Sequence, residues 1–135
     1  DVLGVDGGGD TSQALAGEIM MRRAQAMGVA GFVIDGAIRD VEAFRAAGFP
    51  CHARGVTHRG PYKSGPGEIN VPVAVDGMVV MPGDLVVGDG DGVLAFPAAD
   101  AGELLRLARA QERREAHALG AIAQGKLDAF YFGPQ

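Results

Sequence analysis

Two short runs hold the residues best suited to chemistry: Gly17-Glu18-Ile19-Met20 and, after a gap of helical length, Asp35-Gly36-Ala37-Ile38-Arg39-Asp40. A helix that opens near Gly17 turns unpaired N–H groups and the positive end of its dipole toward whatever lies in front of it. That makes an anion site, and Gly17 lets a ligand come close. Arg39 can add a planar, two-pronged fork for the same carboxylate. Asp40 offers a hard oxygen to Mg²⁺ or Mn²⁺, ions that keep several waters and need only one or two protein carboxylates. Glu18, in the first helical turn, could orient a metal-bound water or move a proton. Together these parts suit a cleft for a small carboxylate substrate and a divalent metal cation.

Each residue also has a purely structural reading. Asp40 directly precedes an expected helix, where aspartate is a favoured N-cap. Glu18 can complement the helix dipole without doing chemistry. Arg39 can bridge to a neighbouring acid such as Asp35. The combination, more than any one residue, points to a site.

The elements that would hold this site follow from periodicity. Val2-Leu3-Gly4-Val5-Asp6 reads as a strand ending in Gly7-Gly8-Gly9. Apolar residues at helical spacing (Leu15, Ile19, Met20, Ala24, Met27) predict a helix from about Leu15 to Met27, stopped by Gly28. Gly31 to Asp35 reads as a buried strand, and Val41 to Ala47 as a short helix closed by Gly48. This alternation favours parallel pairing through crossovers. Beyond Pro50 the pattern changes to hairpins. Val71–Val75 and Met78–Met81 flank Asp76-Gly77, and Leu85–Val87 and Gly92–Phe96 flank Gly88-Asp89-Gly90-Asp91. A long helix from about Ala98 to Leu119 closes the pattern, with Leu104, Leu105, Leu107 and Ala108 expected toward the core. No linker or repeat interrupts the chain, so a single domain over residues 1–135 is expected.

Composition narrows the partners. A length of 135 residues and a 47% apolar share suffice for one buried core. The net charge of −5 includes no basic run of the kind that tracks phosphate backbones, which argues against nucleic acid as a ligand. One cysteine, Cys51, cannot pair within the chain, and no apolar run approaches the roughly 18 residues of a membrane span. A soluble cytoplasmic protein without a membrane partner is expected.

Several motifs fail on inspection. Gly4 to Gly9 resembles a dinucleotide fingerprint only through glycine density, since its glycines do not run directly into a helix. Asp89-Gly90-Asp91-Gly92 lacks the glycine and the glutamate of a calcium loop and reads as a turn. Cys51 and His52 are adjacent on an extended segment, so they point to opposite faces, and a buried structural cysteine is the simpler reading.

Glu18, twenty intervening residues, then Arg39-Asp40, with Asp35-Gly36-Ala37-Ile38 leading in, resembles the acid-X20-Arg-Asp signature of the class II 4-hydroxy-4-methyl-2-oxoglutarate aldolases. These belong to the superfamily of the regulator of ribonuclease activity A. The likeness continues through Ile69–Val73, Met81–Leu85 and Asp89–Pro97 into the terminal helix. It implies a β/β/α sandwich of the swivelling-domain type, in the α/β class with a mixed sheet and a long C-terminal helix, assembled as trimers or hexamers with sites between subunits. It further implies that Asp40 binds the metal, that Arg39 and the backbone of Gly17, Glu18, Ile19 and Met20 hold a pyruvyl carboxylate and carbonyl, and that Glu18 positions a catalytic water. Glu115, or alternatively Glu112, resembles a glutamate that reaches a neighbouring subunit's site, although an exposed helix face explains either equally well.

The implied activity is divalent-metal-dependent retro-aldol cleavage of small 2-oxo acids to pyruvate, with decarboxylation of oxaloacetate through the same enolate. The alternative on the same fold is a non-catalytic regulator that binds and inhibits a ribonuclease. Glu18 separates the two, because the regulator branch typically lacks an acid there. Family members usually carry a further N-terminal helical segment, and this chain starts at Asp1 within an apparent strand, so a preceding portion is expected.

Overall fold

An unbroken apolar run sets the centre of the fold. The structure, a computed structural model, describes residues 1–126. Residues 127–135 of the expected single domain lie outside the described residues. By contact the chain divides into two units, Asp1–Pro97 and the residues from Ala98 onward.

The first unit begins with β1 (Val2–Asp6), β2 (Ala14–Ala16), α1 (Glu18–Ala26), β3 (Gly31–Ile38), α2 (Val41–Ala47) and β4 (Cys51–Val56). All eight residues of β3 are buried, as expected for a parallel strand covered on both faces. Along one flank β3 pairs first with β1, from Val2 opposite Gly31 to Asp6 opposite Asp35, and then with β2, where Ala14 lies opposite Ala37. β4 also pairs with β3, from Phe32 opposite Cys51 to Ile38 opposite Val56. All three pairings are parallel.

The two-residue period of β3 separates its faces. Phe32, Ile34 and Ile38 join Ala16, Met21 of α1, Phe44 of α2 and Phe49 in one core. Phe32 meets Phe49 edge-on with ring centroids 4.9 Å apart, and Phe44 stands 6.2 Å from each. Truncating such a buried ring costs on the order of 3–5 kcal/mol, so this cluster anchors both helices to the sheet. The opposite face of β3 meets the hairpin of β5 (Val73–Val75) and β6 (Met78–Val80). Asp76 and Gly77 both have positive φ, 48° and 81°, as a type I′ turn requires. A second hairpin joins β7 (Leu85–Gly88) to β8 (Val93–Phe96). There Asp89 Oδ1 accepts the N–H groups of Asp91 and Gly92 at 2.9 and 3.3 Å, so this segment is the expected turn.

Four expectations need correction. The first helix starts at Glu18, not Leu15, because Ala14–Ala16 is recruited as a strand beside β3. β3 runs three residues beyond Asp35, to Ile38. The extended segment read only at Cys51 and His52 runs on to Val56 as a strand of the central sheet. In the second unit a short 3-10 turn leads into α3 (Ala101–Ala123), whose Leu104, Leu105, Leu107 and Ala108 are exposed instead of buried. Helical period marks an apolar face but does not supply its cover. No helix among the described residues is long and apolar enough to cross a membrane.

Candidate active site

Gly17 joins β2 to α1, and Arg39-Asp40 joins β3 to α2. The Arg39 N–H donates to the Ala16 carbonyl at 2.9 Å, which sets the two junctions side by side. Both lie at the carboxyl ends of adjacent parallel strands, where open α/β sheets place their ligands. Gly17 has an extended backbone, φ −151°, that any residue can adopt. Its lack of a side chain matters for a different reason. A Cβ there would fall 2.6 Å from Asp40 Oδ2 and 2.9 Å from both Cγ and Nε of Arg39. The glycine is the space into which the charged pair packs.

Asp40 Oδ2 accepts the N–H of Glu18 at 3.0 Å and lies 3.7 Å from Arg39 Nε. The expectation that Asp40 caps its own helix is therefore corrected. Asp40 adopts left-handed backbone angles, φ 60° and ψ 38°, and its side chain makes no cap bond to α2. Its carboxylate instead satisfies the first N–H of α1, and aspartate is among the few residues that tolerate this backbone region. With the Glu18 N–H taken, the Ile19 and Met20 N–H groups remain as first-turn donors without partners inside the helix. The Ile19 and Met20 side chains are exposed. Glu18 Oε1 lies 3.4 Å from Arg22 Nε, a loose pair one helical turn apart. The side chains of Glu18, Arg39 and Asp40 are each about half exposed, at 48%, 42% and 46%.

The neighbouring acid that Arg39 meets is Asp40 and not Asp35. Asp35 Oδ1 is 2.6 Å from Arg54 Nε, while Arg54 Nη2 is 3.0 Å from Asp76 Oδ1. The Asp76 N–H donates to Asp35 Oδ2 at 3.3 Å. The Arg54 hydrogen bond holds Asp35 below the usual carboxylate range against the opposing effect of burial. Arg54 went unrecognised because the continuation of β4 beyond His52, and its place beside β3, did. The available signal was Asp35 itself, a carboxylate inside an apolar strand, which requires a cation nearby. Burial pushes the Cys51 thiol up to about 11, in keeping with a structural role and not a nucleophilic one.

Gly17, Glu18, Ile19, Met20, Arg39 and Asp40 thus share one end of the central sheet. Glu115 and Glu112 belong to the second unit, where both are exposed on α3 and Glu115 Oε1 accepts from Gln111 Nε2 at 2.7 Å. A concavity of about 720 Å³ between β1 and the hairpins, walled mainly by aliphatic side chains such as Val5, Val75 and Met78, contains none of the candidate residues.

Comparison with known proteins supplies the remaining observations. Residues 1–95 match the family model described as RraA-like, Aldolase/RraA. A Thermus thermophilus protein named 4-hydroxy-4-methyl-2-oxoglutarate aldolase is 41% identical over 101 residues, covering 75% of this chain and 62% of its own. A Halalkalibacterium halodurans protein, provisionally named for the same aldolase, is 43% identical over 112 residues, covering 83% of this chain and 53% of its own. The chain therefore spans about half to three fifths of the length of these relatives. The solved structure of the RNA-processing inhibitor RraA from Thermus thermophilus superimposes with a TM-score of 0.66 at 43% identity, covering 71% of this chain and 58% of that one.

Proposed function

Because the chain belongs to the RraA-like (Aldolase/RraA) family, we propose that it is a divalent-metal-dependent carbon-carbon lyase that cleaves 4-hydroxy-4-methyl-2-oxoglutarate-type 2-oxo acids to pyruvate and also decarboxylates oxaloacetate. One observation carries the reading. The Asp40 carboxylate, the Arg39 guanidinium and the first turn of α1 meet around Gly17, whose missing side chain leaves room for the charged pair.

The residues present fit a hydrated hard cation. Asp40 presents a half-exposed carboxylate, and no three His, Cys, Asp or Glu side chains converge among the described residues, so a cation here would be held by Asp40, at most one further carboxylate, and water. That is a magnesium or manganese donor set and not a zinc one. When bound, such an ion supplies electrophilic stabilisation of charge on the 2-oxo oxygen.

The chain's own groups do the rest. Arg39 holds the substrate 1-carboxylate in its fork, and the N–H groups of Ile19 and Met20 stabilise negative charge at the carboxylate or carbonyl. In the retro-aldol reaction the C4 hydroxyl loses its proton as the C3–C4 bond breaks. The bonding pair passes into the pyruvate enolate, and C4 leaves as the ketone of a second pyruvate. Glu18, directly or through one water, takes the hydroxyl proton and returns it to C3. With oxaloacetate the bond to the 4-carboxylate breaks, CO₂ departs with the bonding pair left in the enolate, and C3 takes a proton drawn from solvent water through Glu18. In this reading the chain works in the cytoplasm as a homotrimer or homohexamer, and Glu115, or Glu112, serves a neighbouring subunit's site.

The test is pyruvate release from oxaloacetate and from 4-hydroxy-4-methyl-2-oxoglutarate. Release is expected with Mg²⁺ or Mn²⁺, lost on chelation and restored by either ion; no release with any divalent ion sinks the reading. The likeness to the RNA-processing inhibitor favours a second reading, a non-catalytic protein that binds and inhibits a ribonuclease. Glu18 favours the enzyme, because it places a group able to move a proton in this first turn, where an acid complements the helix dipole under either reading.

A further inference from the structure

The Arg39 side chain has a second wall besides Gly17. A Cβ on Gly60 would fall 3.3 Å from Arg39 Nη1, so the guanidinium lies against the backbone of the segment that follows β4. This strap, Thr57 to Tyr62, is fixed at three points. The Thr57 N–H donates to the Ile38 carbonyl at 3.0 Å, just before Arg39. The Ala14 N–H donates to the Arg59 carbonyl at 2.9 Å, and the Tyr62 N–H donates to Gln13 Oε1 at 3.1 Å. The first two ties are backbone to backbone. The third depends on one side chain, that of half-buried Gln13, which lies 49 residues away in sequence.

We infer that Gln13 is a positioning residue for Arg39, pinning the strap whose Gly60 forms the outer wall of the slot in which the guanidinium lies. Between two glycine walls an arginine keeps its planar fork in one orientation. With the outer wall released it gains rotamers that must be lost again when a carboxylate binds. Gln13 touches no substrate in this scheme. It acts through the strap, and the part it plays is that of a hydrogen-bond acceptor.

The acceptor role gives a sharp test. Gln13→Met keeps the length of the side chain and removes the acceptor, whereas Gln13→Glu keeps an acceptor oxygen. The first readout needs no substrate: the rate at which phenylglyoxal modifies Arg39, followed by peptide mass mapping. It should rise in Gln13→Met and stay near wild type in Gln13→Glu. The second rests on the lyase reading. Gln13→Met should raise KM for oxaloacetate about tenfold with kcat changed by no more than about twofold, and should add nothing in an Arg39→Lys background. Unchanged Arg39 modification in Gln13→Met, or an equal KM effect in both backgrounds, overturns the inference. An inactive wild type whose Arg39 modification still responds to Gln13→Met overturns the lyase reading and leaves the positioning role standing. If Gln13→Met does not fold, Gly60→Ala probes the same wall, and its added methyl should alter the rate of Arg39 modification; an unaltered rate rejects the slot.

Discussion

Asp40 Oδ2 accepts the backbone N–H of Glu18 at 3.0 Å, so the proposed metal ligand is also the cap of the helix that carries the proposed proton-transfer group. The bond spans 22 positions in sequence and joins the end of β3 to the start of α1. A change in one of these parts is therefore felt by the other.

Asp40→Asn separates the two duties. The asparagine carbonyl can still accept the Glu18 N–H, and asparagine tolerates left-handed backbone angles, so stability should change by less than about 1 kcal/mol. Mg²⁺-dependent turnover should disappear, because a neutral amide is a poor ligand for a hard cation. Denaturant unfolding and a metal titration of pyruvate release check both halves. Full activity in a normally folded variant would reassign Asp40 to capping alone.

Gly17→Ala should damage the site without straining the backbone. Its extended φ suits alanine, but the methyl would meet Asp40 Oδ2 at 2.6 Å and Arg39 at 2.9 Å. Either residue must move, and a displacement near 1 Å in a catalytic constellation costs on the order of a hundredfold in rate. Loss of the Asp40 cap adds about 1 kcal/mol of destabilisation. Kinetics paired with thermal melting distinguish this outcome from general unfolding; kinetics equal to wild type would show that the slot has slack.

Glu18→Gln is nearly isosteric and keeps the backbone N–H that Asp40 holds. Pyruvate release should fall about a hundredfold or more, the usual size of a general acid-base contribution. Binding to a ribonuclease, measured on the same variant, should not depend on this carboxylate. A wild type that binds a ribonuclease tightly and releases no pyruvate would move the protein to the regulatory reading.

Acid stability should report on Asp35. Arg54 holds its carboxyl below the ordinary value of about 3.9, so the folded state binds this proton less readily than the unfolded chain does. The stabilisation is fully present above that ordinary value and is lost as pH falls through the depressed folded value. Asp35→Asn should therefore be less stable than wild type at neutral pH, with the gap narrowing below about pH 4. Urea midpoints across pH 2–7 measure it, and a gap independent of pH would mean that Asp35 acts through shape and not charge.

Local rules carried much of this architecture. The Asp76-Gly77 turn and the Gly48 helix stop declare their backbone angles by residue type, and the apolar run Phe32-Val33-Ile34 declares a buried strand. What stayed hidden depends on partners distant in the chain. Leu15 fits a helical period with Ile19, yet β3 supplies the edge that makes Ala14–Ala16 a strand. Beyond the extended Cys51-His52 pair, the small and polar residues up to Val56 do not read as a strand of the central sheet until β3 lies beside them. The candidate residues of the site were legible as types and spacing, whereas the direction of the Asp40 side chain was not. Residue preference places an aspartate at the helix that follows it, and the folded chain gives it the helix on the neighbouring strand. The leucines of α3 declare an apolar face without declaring its cover.

The complete burial of β3 has a consequence for the lifetime of the site. Amide protons on a strand enclosed by parallel neighbours exchange with solvent only when the whole unit opens. Arg39 and Asp40 directly follow that slow-exchanging stretch, and the Arg39 amide is bonded to Ala16. Deuterium should therefore reach the Arg39 amide about as slowly as it reaches Phe32 and Ile34, whereas the β5–β6 turn should exchange by local fraying. The site would then persist for as long as the first unit stays folded.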